Sequence, residues 1–198
     1  MTLDLRQIAT QAAHIGEAFA ASGVFETDGP NNSSQINAWQ QLAGGVPGES
    51  YCCDAAFSWY CKSYCQIKGY LTGATDHENR LIMLAHADEM SARTGIARTG
   101  SCATSLAHAD VLGRKHGRAF VPSVGDQVYF DMPVNGQQLG RAHHTGIVTG
   151  VLGGGRISTV EANTSAGDSG SQDNGQGVYL RTRSTQYVVG YMHLEGLV

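Results

Sequence analysis

Residues 121–130 read "VPSVGDQVYF", and the periodicity of the chain changes across them. Upstream, apolar residues recur at helical spacing; downstream, they alternate or run as β-branched and aromatic segments. Five strand-like segments follow, separated by turn residues: "QVYFD" (127–131), "HTGIVTGV" (144–151), "RISTVEAN" (156–163), "GVYLRTR" (177–183) and "YVVGYMHL" (187–194). Helical spacing predicts helices over 1–21, 35–42, 50–68, 78–93 and 102–117. Helices followed by a run of strands predict an α+β fold with an antiparallel sheet. The polar stretch "AGDSGSQDNGQG" (166–177) reads as a loop within that sheet, not as a linker.

A chain of 198 residues, 41% hydrophobic and 15% charged, is long enough for one core. A single domain over 1–198 is expected: an N-terminal helix (1–21), a mainly helical half (22–120) and a sheet half (121–198). The net charge of −4, with no Lys/Arg block, disfavours a nucleic-acid backbone or an anionic membrane surface as partner. No apolar run reaches 18 residues, so no membrane span is expected. "MTLDLRQIATQAAHIGEAFAASG" reads as an amphipathic helix with Leu5, Ile8, Ala12, Ile15 and Phe19 on one stripe, and not as a signal peptide. Five cysteines, an odd number, argue against a disulfide framework and for synthesis in a reducing cytoplasm. "LAHAD" occurs at 84–88 and 106–110, and reads as chance recurrence on two Ala-rich helices.

Four of the cysteines crowd into residues 50–65, "SYCCDAAFSWYCKSYC". Structural zinc needs two ligand pairs, and Cys61 with Cys65 supplies only one. Cys61 and Cys65 read as buried packing residues, Cys61 on a stripe with Cys53, Phe57, Tyr60 and Tyr64. Cys53 differs. It follows the non-helical "GGVPGES", so it falls in the first turn of the helix, with Ser50 as the expected N-cap. Unpaired backbone N–H groups and the positive helix end there favour a thiolate and an oxyanion.

A thiolate nucleophile needs a proton carrier, and the sheet offers one. "HHTGIVTGVLGGGRISTVEANTS" reads as a hairpin turning at Gly153-Gly154. That turn sets His144 opposite Asn163; a neighbouring register sets it opposite Glu161 or Ala162. Glu161 and Asn163 share a face by alternation, so either could orient the imidazole, while His143 points to the other face. Cysteine at a helix start, histidine on a strand and a polar orienter on the next strand form the nucleophile–base–orienter arrangement.

The same residues resemble the CHAP family of cysteine/histidine-dependent amidohydrolases and peptidases, found in phage endolysins and bacterial autolysins. "YCCDAAFSW" is similar to the family's nucleophile helix, with the Cys-to-Trp spacing kept between Cys53 and Trp59. "VPSVGDQVYF" resembles its Pro-x-x-Gly-Asp strand, "HTGIVTGV" its histidine strand and "ISTVEANTS" its acidic and Asn strand, over about residues 22–183. The resemblance implies a papain-like fold, with Cys53 as nucleophile and His144 as general base then acid. It also implies Glu161 as the imidazole's orienter and Asn163 as an aid to the histidine or the oxyanion. The family's usual Trp before the nucleophile is here Cys52, which stays open as the alternative nucleophile. Phe57 lies four residues after Cys53, where the family has three. No Asp-rich loop has calcium-ligand order, so neither metal nor cofactor is expected.

The expected function is hydrolysis of an amide bond in peptidoglycan, as N-acetylmuramoyl-L-alanine amidase or endopeptidase, by a monomer. Made in the cytoplasm, it would act on the wall after holin-dependent release, as an endolysin, or after another export, as an antibacterial effector. The alternatives are a related amidase on a soluble small substrate and a non-catalytic wall-binding module. Activity is expected to fall on the acid side as His144 protonates.

Overall fold

The structure, a computed structural model, describes residues 4–47, 53–67, 76–167 and 175–195. Helix α1 (Leu5–Ser22) starts at Asp4, whose side chain accepts the Gln7 N–H while the Gln7 side chain accepts the Asp4 N–H. It ends at Gly23, left-handed with φ 69°. Its buried face is Ile8, Ala9, Ala12, Ala13 and Gly16, small residues that let the backbone come close to the sheet. A Cβ on Gly16 would stand 2.5 Å from a Val160 methyl carbon. Helix α2 (Ser34–Leu42) is capped by Ser33. Helices α3 (Cys53–Ile67), α4 (Asp76–Thr94) and α5 (Cys102–Val111) follow.

Six strands, β1 (Lys115–His116), β2 (Gln127–Phe130), β3 (His144–Gly153), β4 (Arg156–Thr164), β5 (Gly177–Ser184) and β6 (Val188–Met192), form one sheet. Its order is β1-β6-β2-β3-β4-β5, and every neighbouring pair is antiparallel. The α+β expectation therefore stands at the level of five helices and an antiparallel sheet among the described residues.

Helix α3 is the centre of the packing. It lies against α1, α2 and α4 on one side and β3 and β4 on the other. Residues 54–63 are buried all round, so α3 is a core helix rather than the one-sided stripe the spacing predicts. Trp39 packs its ring 4.9 Å from Phe57 and 5.2 Å from Phe19. Full burial of each such side chain is worth about 2–3 kcal/mol, which ties α3 to α1 and α2. A smaller cluster of Val128, Phe130, Met132, Val148, Ile157, Val188 and Tyr191 covers the opposite sheet face.

The sheet bears out the hairpin expectation and corrects one helix. Ile147 pairs with Val160 and Val148 with Thr159, as expected, but the hairpin turns at Gly154-Gly155, with Gly153 opposite Arg156, and two shifts in pairing bring the strands to that register. The helix expected over 102–117 stops at Val111, because Leu112 caps it and Gly113 turns left-handed at φ 66°. Lys115 and His116 then pair with β6 as an edge strand, inside the half expected to be mainly helical. Ser50 and Cys52 lie outside the described residues, as do the outer ends of the segment expected over 50–68.

Candidate functional site

His144 opens β3 and is fully buried. Its Nε2 lies 2.8 Å from Glu161 Oε2 on β4. The two are diagonal neighbours across the hairpin: Gly146, two residues after His144, is the glycine beside Glu161. A Cβ on Gly146 would stand 2.6 Å from Glu161 Cγ, so the absent side chain makes room for the carboxylate. By alternation Glu161 and Thr159 lie on the face of Val148 and Ile157, away from Val160 and Ala162, which join the helical core.

Glu161 is held from several directions. Thr159 Oγ1 donates to Oε1 at 2.5 Å, and Arg183 on β5 donates from Nε to Oε1 at 2.9 Å and from Nη2 to Oε2 at 2.5 Å. Burial alone would raise a carboxyl pKa, but the His144 and Arg183 charges override it and hold Glu161 well below the usual carboxylate range. Arg183 also donates to Thr164 Oγ1 at 3.1 Å.

The other imidazole nitrogen faces the first turn of α3. His144 Nδ1 lies 3.1 Å from Oδ2 of Asp54, the residue after Cys53. The contact is an ion-pair approach without hydrogen-bond alignment, and Nδ1 makes no hydrogen bond among the described residues. Asp54 Oδ2 also accepts the Thr145 N–H at 3.0 Å and the Cys102 thiol at 3.2 Å, while Oδ1 accepts the Ala55 N–H at 2.8 Å. One N–H of the helix start is thus already taken. Burial would lower the His144 pKa, but Asp54 and Glu161 together raise it to about 9. Both carboxylates favour the imidazolium over the neutral ring, a direction opposite to the expectation that His144 titrates on the acid side.

Of the residues the sequence singled out, His144 and Glu161 come together. Cys53 is the first residue of α3, next to Asp54, but its side chain lies outside the described residues. Asn163 lies past the regular pairing on which its expected position rests. Pairing shifts between Glu161 and Thr164, and Asn163 takes a left-handed φ of 55°, which breaks the alternation on which the shared face depended. It lines a small cavity with Glu26, Trp39 and Gly177 instead. His143 is occupied elsewhere, with Nε2 2.9 Å from the Met132 carbonyl oxygen.

Cys61 and Cys65 are buried, as expected. Burial pushes the Cys61 thiol up, and burial and the Asp54 carboxylate push Cys102 up, so both stay protonated and unreactive. Among the described residues no group of three or more His, Cys, Asp or Glu side chains is placed to hold a metal ion.

Asp54 is the site residue that sequence reading missed, and a signal for it exists. Phe57 is one residue further from Cys53 than the resembling family's spacing, and counting three back from Phe57 reaches Asp54. No family model matches the chain, and no curated protein matches it either.

Proposed function

We propose that the protein is a papain-like thiol amidase of the bacterial cell wall, with Cys53 as nucleophile, His144 as proton carrier and Glu161 as its orienter. The observation that carries this reading is the buried imidazole. Glu161 holds one of its nitrogens, while the other faces the first turn of the helix that Cys53 opens, 3.1 Å from Asp54 Oδ2. A raised His144 pKa supports a resting thiolate–imidazolium pair, the reactive form of a cysteine nucleophile.

In the proposed reaction the Cys53 thiolate attacks the amide carbonyl, and the positive end of the α3 dipole steadies the oxyanion. His144 gives its Nδ1 proton to the leaving amine as the C–N bond breaks, leaving a thioester. Water then attacks the thioester, His144 takes a water proton, and the free carboxylic product leaves with the thiolate regenerated. Acid inactivation follows from protonation of the thiolate, and alkaline inactivation from loss of the His144 proton near pH 9. Peptidoglycan as substrate, cutting at the muramoyl–alanine bond or within the peptide, and release as an endolysin rest on the family resemblance.

A second reading has its own observation. Asp54, not a sulfur, is the described side chain nearest Nδ1, which favours a binding module that keeps the fold without a nucleophile. Turbidity of purified peptidoglycan separates the two. Wild type and Cys52→Ala are expected to clear the suspension, and Cys53→Ala is expected to lose at least about a thousandfold in rate. Product masses then name the bond. Binding of the wall with no clearing by wild type would establish the second reading.

A further inference from the structure

Asp54 has no part in the proposed reaction, yet it joins three elements at the site. It sits in the first turn of α3, is 3% exposed, and contacts two other elements: β3 through the Thr145 N–H and the His144 ring, and α5 through the Cys102 thiol. A buried carboxylate is costly unless its lone pairs are filled, and here three donors and an imidazole fill them.

Charge balance gives this placement its consequence. Among the described residues, the groups that face His144 are Asp54 from α3, Glu161 from β4 with Arg183 of β5 behind it, and the Phe130 ring of β2, stacked at 6.2 Å. Cys102 from α5 reaches the ring only through Asp54, and as a thiol it adds no charge. Arg141 acts on the set from outside, through Cys102. Two buried carboxylates against one guanidinium leave one negative charge unbalanced. A protonated His144 cancels it; a neutral one does not.

We infer that Asp54 is a positioning residue, a second carboxylate that clamps His144 against Glu161 and holds it as an imidazolium before any substrate arrives. The role rests on the thiol-amidase reading for its use in catalysis, but not for its existence. Asp54 and Glu161 approach opposite ring nitrogens, so the ring can neither flip nor lose its charge without breaking a buried contact. Oδ2 also holds the Thr145 N–H, the backbone link next to His144, so ring and strand are fixed by one oxygen. Asp54 acts on the ring as a fixed negative charge 3.1 Å from Nδ1.

The test follows the His144 ring nitrogens by NMR from pH 5 to 10 in wild type, Asp54→Asn and Cys102→Ala. Wild type is expected to keep both nitrogens protonated past pH 8. Asp54→Asn is expected to titrate about two pH units lower, and Cys102→Ala close to wild type. On purified wall, the alkaline limb of kcat/KM should move down with Asp54→Asn by the same interval, which a merely structural role would not produce. Superimposed wild-type and Asp54→Asn curves would overturn the role. So would a wild-type His144 that titrates at the ordinary histidine value, a result that holds even if Asp54→Asn fails to fold. If wild type leaves the wall intact while the titrations separate, the hydrolase reading falls and the clamp stands.

Discussion

Among the described residues two histidines have a carboxylate at each ring nitrogen, and they differ in burial and in the backbone beside them. His144 stands between Asp54 and Glu161, with Arg183 behind, and both carboxylates are buried. His193 stands between Asp126 and Glu195; Asp126 is buried, but the Glu195 side chain is 72% exposed. Asp126 also accepts from Arg6 at 2.6 Å and from the Ser123 N–H at 2.7 Å, so this second set ties α1 and the C-terminal segment to the start of β2. The same residue types serve as a charged device in a dry helix–sheet junction and as a fastening at the edge. What separates them is solvent and the backbone next to them: a helix start beside His144, the residues that follow β6 at His193.

The largest expected effect on this contrast is catalytic. His144→Ala should lower the rate of wall clearing by at least about a thousandfold, while His193→Ala should stay within a few-fold once corrected for folded fraction. Comparable losses in both, measured as initial turbidity slopes, would break the contrast.

Stability should separate the carboxylates next. Glu161→Ala leaves Arg183 buried beside a cut partner, and chemical denaturation should show a loss of about 3–5 kcal/mol. Glu195→Ala, at an exposed position, should leave the denaturation midpoint where it was.

The smallest effect is the pH slope of stability. His144 is raised from 6.5 to about 9 in the folded state, so its contribution is complete below pH 6.5 and is lost as pH rises through 9. It amounts to about 3 kcal/mol at most. Lys62 acts in the opposite sense: burial lowers its pKa from 10.5 to about 8, so its cost is full below pH 8 and relieved toward 10.5. Urea unfolding of Lys62→Met between pH 6 and 10.5 should therefore uncover a steeper fall above pH 8 than wild type shows.

How much of this could be read from sequence depended on whether local rules applied. The β3–β4 hairpin was legible from its glycines, although it turns at Gly154-Gly155 and pairing shifts restore the expected partners at Ile147; alternation placed Glu161 within reach of His144. Alternation failed at Asn163 because the shift in pairing and a left-handed backbone are tertiary accommodations that no period reveals. The helix over 102–117 was overextended because Arg114, Lys115 and His116 carry no strand signal of their own; β6 recruits two of them as an edge. Asp54 escaped notice because which residue of a helix's first turn faces a given strand depends on helix phase. The one-residue offset of Phe57 was the only trace of that phase.

The central claim is that Cys53 is the thiolate partner of a clamped imidazolium, and the most direct measurement is the rate of thiol alkylation at pH 6, with the modified residue located by peptide mass spectrometry. Cys61, Cys65 and Cys102 are buried and serve as internal controls. The account predicts that iodoacetamide labels Cys53 first, faster than free cysteine at that pH, and that His144→Ala removes the advantage. First labelling at Cys52, or no cysteine faster than the free amino acid, would contradict it.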